Sequence, residues 1–110
     1  MSASKARGTK WETAIVDYLR SRGWPHAERR TLAGRLDRGD INGIIGWIVE
    51  AKNANRVELA AWLDEATCEA AVLEDKGVVW IHRRGRASPA DGFVVMDGAT
   101  FTELLGEAGY

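Results

Sequence analysis

Apolar positions recur along the chain with two different periods, and these periods predict the order of helices and strands. Helices are predicted over residues 9–22, 57–73 and 100–105. Strands are predicted over residues 26–31, 39–52 (two short strands with a turn between them), 78–82 and 93–96. The order helix, three strands, helix, strand, strand, helix predicts an α/β fold, with a mixed sheet and helices on its faces. The strand–helix–strand unit near its middle predicts a right-handed crossover between parallel strands, and the earlier strands are predicted to pair as antiparallel hairpins.

Polar residues at the ends of these segments predict where the helices begin. Thr9 followed by Glu12 is typical of a capping box, and Thr100 followed by Glu103 predicts a second one. Residues 1–8 are small, polar and basic, and Gly8 is a break, so we expect a flexible basic arm there. Gly23 is predicted to end the first helix.

The predicted helix over residues 57–73 is apolar on two sides. One stripe should pack on the sheet, and it contains Leu59, Trp62, Leu63, Ala66, Ala70 and Leu73. A second line consists of Val57, Ala61, Cys68 and Val72. That second line predicts either a dimer contact or, because alanine favours helix, only a raised helix propensity. The acidic residues Asp64, Glu65 and Glu69 are predicted to form an ordinary solvated surface.

The stretch from Gly39 to Lys52 combines β-branched residues with charged ones. Side chains alternate between the two faces of a strand, so Glu50 and Lys52 should share one face. Pairing of the two short strands would bring Asp40 alongside Glu50. Charges on so apolar a ribbon are costly unless they bind something, and a divalent metal ion held by both carboxylates would offset that cost.

Composition and charge narrow the function classes. The 110 residues indicate one domain, and the net charge of −1 hides an asymmetry, because residues 1–38 carry nine of the 15 basic residues and four of the 16 acidic ones. A basic N-terminal part and an acidic remainder suit a protein that presents one face to a polyanion. An ordinary solvated surface has the same charge pattern. No apolar run is long enough for a transmembrane helix.

Other sequence features bear on location and on metal chemistry. The first five residues lack the apolar core of a signal peptide. The single Cys68 cannot form an internal disulfide and fits a reducing cytosol, so we expect a cytoplasmic protein. One cysteine and two distant histidines, His26 and His82, argue against a structural zinc site. Cys68 is predicted to be a small core or interface residue.

Three short motifs together resemble the PD-(D/E)XK nuclease family. Gly39-Asp40 stands where the family has Pro-Asp, Glu50-Ala51-Lys52 matches (D/E)XK, and Glu12 matches a glutamate often found on the first helix. The missing proline is a departure from the pattern. The order and compactness, over roughly residues 8–83, look most like the archaeal and phage Holliday-junction resolvases.

The resemblance implies a restriction-endonuclease-like fold with an αβββαβ core and a magnesium site, in which Mn²⁺ can replace Mg²⁺. Its expected catalytic residues are Glu12, Asp40, Glu50 and Lys52. The expected metal ligands are Asp40, Glu50 and the backbone carbonyl of Ala51. Glu12 would hold a second ion or a metal-bound water. Lys52 would orient the attacking water or stabilise the transition state. The expected DNA-binding residues are Arg7, Lys10, Arg29, Arg30, Arg35 and Arg38.

Three functions remain open from the sequence. The first is a structure-selective endonuclease that resolves four-way DNA junctions as a homodimer, in a bacterium or a phage-infected host cell. The second is a restriction- or repair-type nicking nuclease with the same metal site. The third is a non-catalytic DNA-binding module. No element for base readout is visible, which favours recognition of DNA shape.

Overall fold

The computed structural model of the protein describes residues 3–30 and 40–110, which fold into a five-stranded sheet and three helices. The helices are α1 (Ala3–Ser21), α2 (Leu59–Val72) and α3 (Gly98–Glu107). The strands are β1 (Glu28–Arg29), β2 (Ile41–Asn42), β3 (Trp47–Lys52), β4 (Lys76–Ile81) and β5 (Phe93–Val95). A single 3₁₀ turn, Pro89–Asp91, precedes β5. The predicted order of elements and the α/β class are confirmed.

The strands follow one another in the sheet in chain order, from β1 to β5. β3 and β4 are parallel, and the other neighbouring pairs are antiparallel. Parallel pairing is what a strand–helix–strand unit requires, because α2 must return the chain to the same end of the sheet. The predicted hairpins and the predicted parallel pair are therefore both confirmed.

Each face of the sheet carries its own apolar cluster. On the α1 face, the buried residues are Trp11, Ile15, Val16, Leu19, Ala27, Ile41, Val49 and Val78. On the α2 face, they are Trp62, Ala66, Val79 and Ile81. Alternation along β3 and β4 divides these residues between the two faces. The Trp11 indole also donates a hydrogen bond to the Trp80 carbonyl (3.1 Å), which anchors α1 to the sheet.

The first helix begins earlier than its sequence predicts. α1 starts at Ala3, so residues 3–8 belong to a helix and the prediction of a flexible arm is wrong for them. Thr9 is an interior residue rather than a cap, and its carbonyl accepts a bond from the Thr13 hydroxyl. A glycine costs a helix only about 1 kcal/mol relative to alanine, so Gly8 does not end a helix of 19 residues.

Two of the predicted strands are shorter than expected. Ile44 and Ile45 lie in the turn between β2 and β3, and the Ile45 side chain is fully exposed. Gly43 and Gly46 flank that turn with φ of +96° and +85°, a conformation that glycine adopts without strain. Ile44 and Ile45 favour a strand by their propensity, but the positive φ values of the two flanking glycines form a turn, so this pair lies outside the sheet.

Two further expectations need correction. Asp97, rather than Thr100, caps α3, and its carboxylate accepts a bond from the Thr100 amide (2.7 Å). Cys68 is exposed rather than part of the core. The second apolar line of the middle helix is exposed, which both of its predicted roles allow, and Val57 precedes α2. Among residues 3–30 and 40–110, no helix combines the length and hydrophobicity that crossing a bilayer demands.

Candidate metal centre

The register of β2 against β3 brings the two carboxylates of the predicted motif together. Ile41 pairs with Val49, and Asp40, the residue just before β2, lies close enough to Glu50 for its charge to raise the pKa of Glu50. The Asp40 amide donates to the Val49 carbonyl (2.9 Å), and Asp40 Oδ2 accepts a bond from the Ala51 amide (2.8 Å). The predicted approach of Asp40 to Glu50 is confirmed, and the Asp40 side chain is held against the end of β3.

Glu50 is the most unusual ionisable residue of this site. It is only 3% exposed, and its Oε1 has no hydrogen-bond partner among residues 3–30 and 40–110. Burial, a hydrogen bond shared with Glu69 and the nearby charge of Asp40 all raise the pKa of Glu50 far above its ordinary range. A buried carboxyl with an unsatisfied oxygen is costly to keep, which is typical of a functional position rather than of a packing position.

Helix α2 adds two acidic side chains that the sequence prediction had assigned to a solvated surface. One ligand oxygen from each of Glu50, Glu65 and Glu69 lies within 4.8 Å of the other two. Glu65 is exposed, but Glu69 is half-buried, so the solvated-surface prediction is wrong for Glu69. Glu65 and Glu69 are four residues apart, which places them on one helix face beside the buried stripe. That spacing was the signal available in the sequence.

Glu12 approaches the site from α1 but does not join this cluster. Burial and the charge of Asp40 raise the pKa of Glu12, whereas Arg29, 3.7 Å away, opposes that rise. Within the described ranges, neither Glu12 nor Asp40 belongs to a trio of ligand atoms within 4.8 Å of one another. The acidic side chains therefore form a chain, in which Asp40 lies between Glu12 and Glu50.

Lys52 lies two residues beyond Glu50 and faces α2, as the predicted alternation requires. Its Nζ is 3.5 Å from Glu65 Oε2 and 5.9 Å from the centre of the Trp62 ring. The ammonium group is therefore held at the margin of the acidic cluster by an ion pair and by a ring face. It is close enough to neutralise part of the cluster and partly open to solvent.

The Ala51 carbonyl lies on the Asp40 side of β3. The Lys52 carbonyl accepts a bond from the His82 amide, so Lys52 directs its backbone groups toward the β4 side. Successive residues of a strand direct their backbone groups to opposite sides. Ala51 accordingly directs its amide toward Asp40, as its hydrogen bond shows, and its carbonyl points to the same side.

The predicted DNA-binding residues have diverse environments. Arg29 lies beside Glu12, and the Arg30 amide donates to the Asp40 carbonyl (2.9 Å), so β1 borders the site. Lys10 is exposed on α1. Arg7 donates to the Asn55 side chain (3.2 Å), a contact between α1 and the loop that leads to α2. Arg35 and Arg38 lie outside the described residues.

The donor atoms at this site suit an oxygen-preferring divalent cation. Magnesium binds carboxylate and carbonyl oxygens and retains several waters, so it needs only a few protein ligands. Asp40, Glu50 and the Ala51 carbonyl are of this kind, and the unpaired Glu50 Oε1 is a ready acceptor.

Comparison of the chain with protein-family models, with curated proteins and with solved structures finds no match.

Proposed function

We propose that the protein is a metal-dependent endonuclease that hydrolyses phosphodiester bonds in DNA. The observation that carries this proposal is the buried Glu50 carboxyl at the end of β3, with an unpaired oxygen, with Asp40 beside it and with Lys52 two residues further on. This constellation combines acidic metal ligands with a nearby cationic group. Both are needed for charge neutralisation at a phosphate.

The residues divide the chemistry between them. Asp40 and Glu50, with the Ala51 carbonyl, would hold Mg²⁺, which when bound lowers the pKa of water and neutralises phosphate charge. Lys52 carries its ammonium beside the site, where it would stabilise the negative charge that develops on the phosphate. Glu12 reaches Asp40 from α1 and would fix the solvent on that side.

The sequence motif and the fold agree with this assignment. The spacing from Asp40 to Glu50-Ala51-Lys52 resembles the PD-(D/E)XK signature, and the observed mixed five-stranded sheet is compatible with the restriction-endonuclease-like fold that we propose. In this arrangement the hairpin supplies the aspartate, and β3 supplies the glutamate and the lysine. A short hairpin and one long strand are therefore sufficient to build the catalytic centre.

Basic residues next to the centre suit a DNA backbone. Lys10 on α1 and Arg29 on β1 are exposed, and β1 borders the site through the bond from Arg30 to Asp40. Contacts to phosphates give affinity and position without reading sequence. We propose that the substrate is a four-way junction or another branched duplex. We also propose a homodimer, because two equivalent sites suit a two-fold junction.

Cleavage of defined DNA substrates tests this function. The purified protein is incubated with a four-way junction, a linear duplex and a single strand, each with Mg²⁺ or with EDTA. We expect paired cuts on the junction with Mg²⁺ and none with EDTA. Asp40→Asn should abolish cleavage while DNA binding is retained, because the substitution removes a ligand charge and changes no basic residue.

The control is Asp17→Asn, which removes one negative charge from an exposed position of α1. It should cleave like the wild type. Cleavage of every duplex at equal rates would replace the junction substrate with a general nicking activity. Cleavage by Asp40→Asn at the wild-type rate, or binding without cleavage in Mg²⁺ and in Mn²⁺, would overturn the proposed catalytic centre.

A further inference from the structure

The carboxyl of Glu50 belongs to two different groups of acidic residues. Toward β2 its neighbour is Asp40, and toward α2 its neighbours are Glu65 and Glu69. The proposed catalytic centre uses only the first group. The second group brings three ligand oxygens within 4.8 Å of one another, a spacing at which all three can bind one ion.

Acidic side chains often cluster on protein surfaces without any ligand, so the proximity of these three is not sufficient evidence by itself. A second observation concerns Glu50, which is 3% exposed and has an Oε1 with no hydrogen-bond partner. A buried acceptor without a donor needs an electropositive partner. No ordinary surface carboxylate has this requirement.

The helix supports the same reading. Glu65 and Glu69 are separated by one turn of α2, and like charges at this spacing destabilise a helix by a few tenths of a kcal/mol. Trp62, Ala66 and Ala70 hold that part of α2 against the sheet. The packing of these neighbours thus holds the backbone at Glu65 and Glu69 over β3.

One positive group already lies at the margin of the cluster. The Lys52 ammonium is 3.5 Å from Glu65 Oε2, a distance at which it is attracted but not closely bound. A divalent cation would compete with this ammonium for Glu65 and would leave Lys52 available to a phosphate.

We propose that Glu50, Glu65 and Glu69 form a binding site for a divalent, oxygen-preferring cation, separate from the ion held by Asp40. The site shares Glu50 with the proposed catalytic centre. Its existence does not require that the protein cleaves DNA. If both sites are filled, the chain binds two ions, one on each side of the Glu50 carboxyl.

Titration with Mn²⁺ alone tests this site. Isothermal titration calorimetry and the electron paramagnetic resonance signal of free Mn²⁺ count the ions bound by the full chain. Loss of even an indirect partner of a metal ligand weakens affinity by roughly 10- to 100-fold. We therefore expect Glu65→Gln and Glu69→Gln to lose one bound ion or to weaken its binding by at least about tenfold.

The matched control is Asp64→Asn, which removes one charge from an exposed position next to Glu65 on the same helix. Its titration should stay within about twofold of the wild type, because Asp64 lies outside the cluster. Glu65 is exposed, so Glu65→Gln should fold even if Glu69→Gln does not, and thermal unfolding of each variant checks this. Asp40→Asn should retain the ion on the α2 side.

Two results would overturn the site: Mn²⁺ binding that is unchanged in both glutamine variants, or loss of all Mn²⁺ binding in Asp40→Asn. Failure of the proposed nuclease gives a different pattern. In that case no DNA substrate is cut, yet the bound Mn²⁺ still depends on Glu65. The opposite pattern is DNA cleavage that depends on Asp40 together with Mn²⁺ binding that does not depend on Glu65 or Glu69. That pattern would support the proposed nuclease and exclude this second site.

Discussion

Replacing Glu50 by glutamine should stabilise the metal-free protein at neutral pH. The substitution keeps the shape of the side chain and removes the ionisable group. Because burial and two carboxylate neighbours raise its pKa far above the ordinary value of 4.5, we expect Glu50 to be protonated at pH 7 in the metal-free folded protein and ionised in the unfolded chain. Folding at pH 7 must therefore take up a proton, and that uptake opposes folding.

The free-energy cost of this proton uptake follows from the difference between pH 7 and the pKa of Glu50 in the unfolded chain. Each pH unit between the unfolded pKa and the working pH costs about 1.4 kcal/mol, so the penalty at pH 7 is about 3 kcal/mol. The glutamine amide can donate to Glu69 and to Asp40, the two side chains that bond the Glu50 carboxyl, and imperfect geometry of these two bonds costs about 1 kcal/mol. The net gain is about 2 kcal/mol, which raises the melting temperature by about 8 °C at this chain length.

The assay is urea unfolding of both proteins in EDTA between pH 5 and pH 8. A carboxyl whose folded pKa is raised contributes most stability below its unfolded pKa, and this contribution is lost as the pH rises toward the folded value. Wild-type stability should therefore fall across this window relative to Glu50→Gln. Glu58→Gln, an exposed control, should follow the wild type. A Glu50→Gln protein that is less stable than the wild type at pH 7, with a parallel pH profile, would refute this reasoning.

Two further predictions concern the scaffold. Gly77→Ala should destabilise the protein by about 1–3 kcal/mol in urea unfolding, because a Cβ there would lie 2.5 Å from the Ala66 carbonyl oxygen of α2. Gly106→Ala, at an open position of α3, should instead be neutral or stabilising, and equal effects of the two would contradict this packing. Asp97→Ala should speed hydrogen exchange at the Thr100 amide by removing the cap of α3. In the wild type, that protection should be lost as the pH falls through the lowered pKa of Asp97, and a protection factor that does not change with pH would argue against the cap.

Much of the fold could be predicted from the sequence because hydrophobic periodicity reports which face of each element is buried. The continuous apolar run in β4 correctly indicated a strand covered on both faces. The residues at which strands begin and end were harder to predict. Ile44 and Ile45 favour strand locally, but the backbone conformation of the adjacent glycines is set by the hairpin as a whole.

One part of the candidate site could also be predicted from the sequence, and another part could not. The approach of Asp40 to Glu50 follows from strand pairing over about ten residues, so it could be inferred from local spacing. The contribution of Glu65 and Glu69 depends on how α2 lies across β3, which no local pattern fixes. On a helix viewed alone, two glutamates one turn apart resemble a solvated face.

We propose that Asp40 and Glu50 hold a divalent cation beside Lys52. Anomalous diffraction from crystals grown in saturating Mn²⁺ tests it most directly. We expect an anomalous peak about 2.1 Å from carboxylate oxygens of both Asp40 and Glu50, with the Lys52 ammonium beside it. Crystals that show no peak there, with the two carboxylates directed away from each other, would contradict the claim.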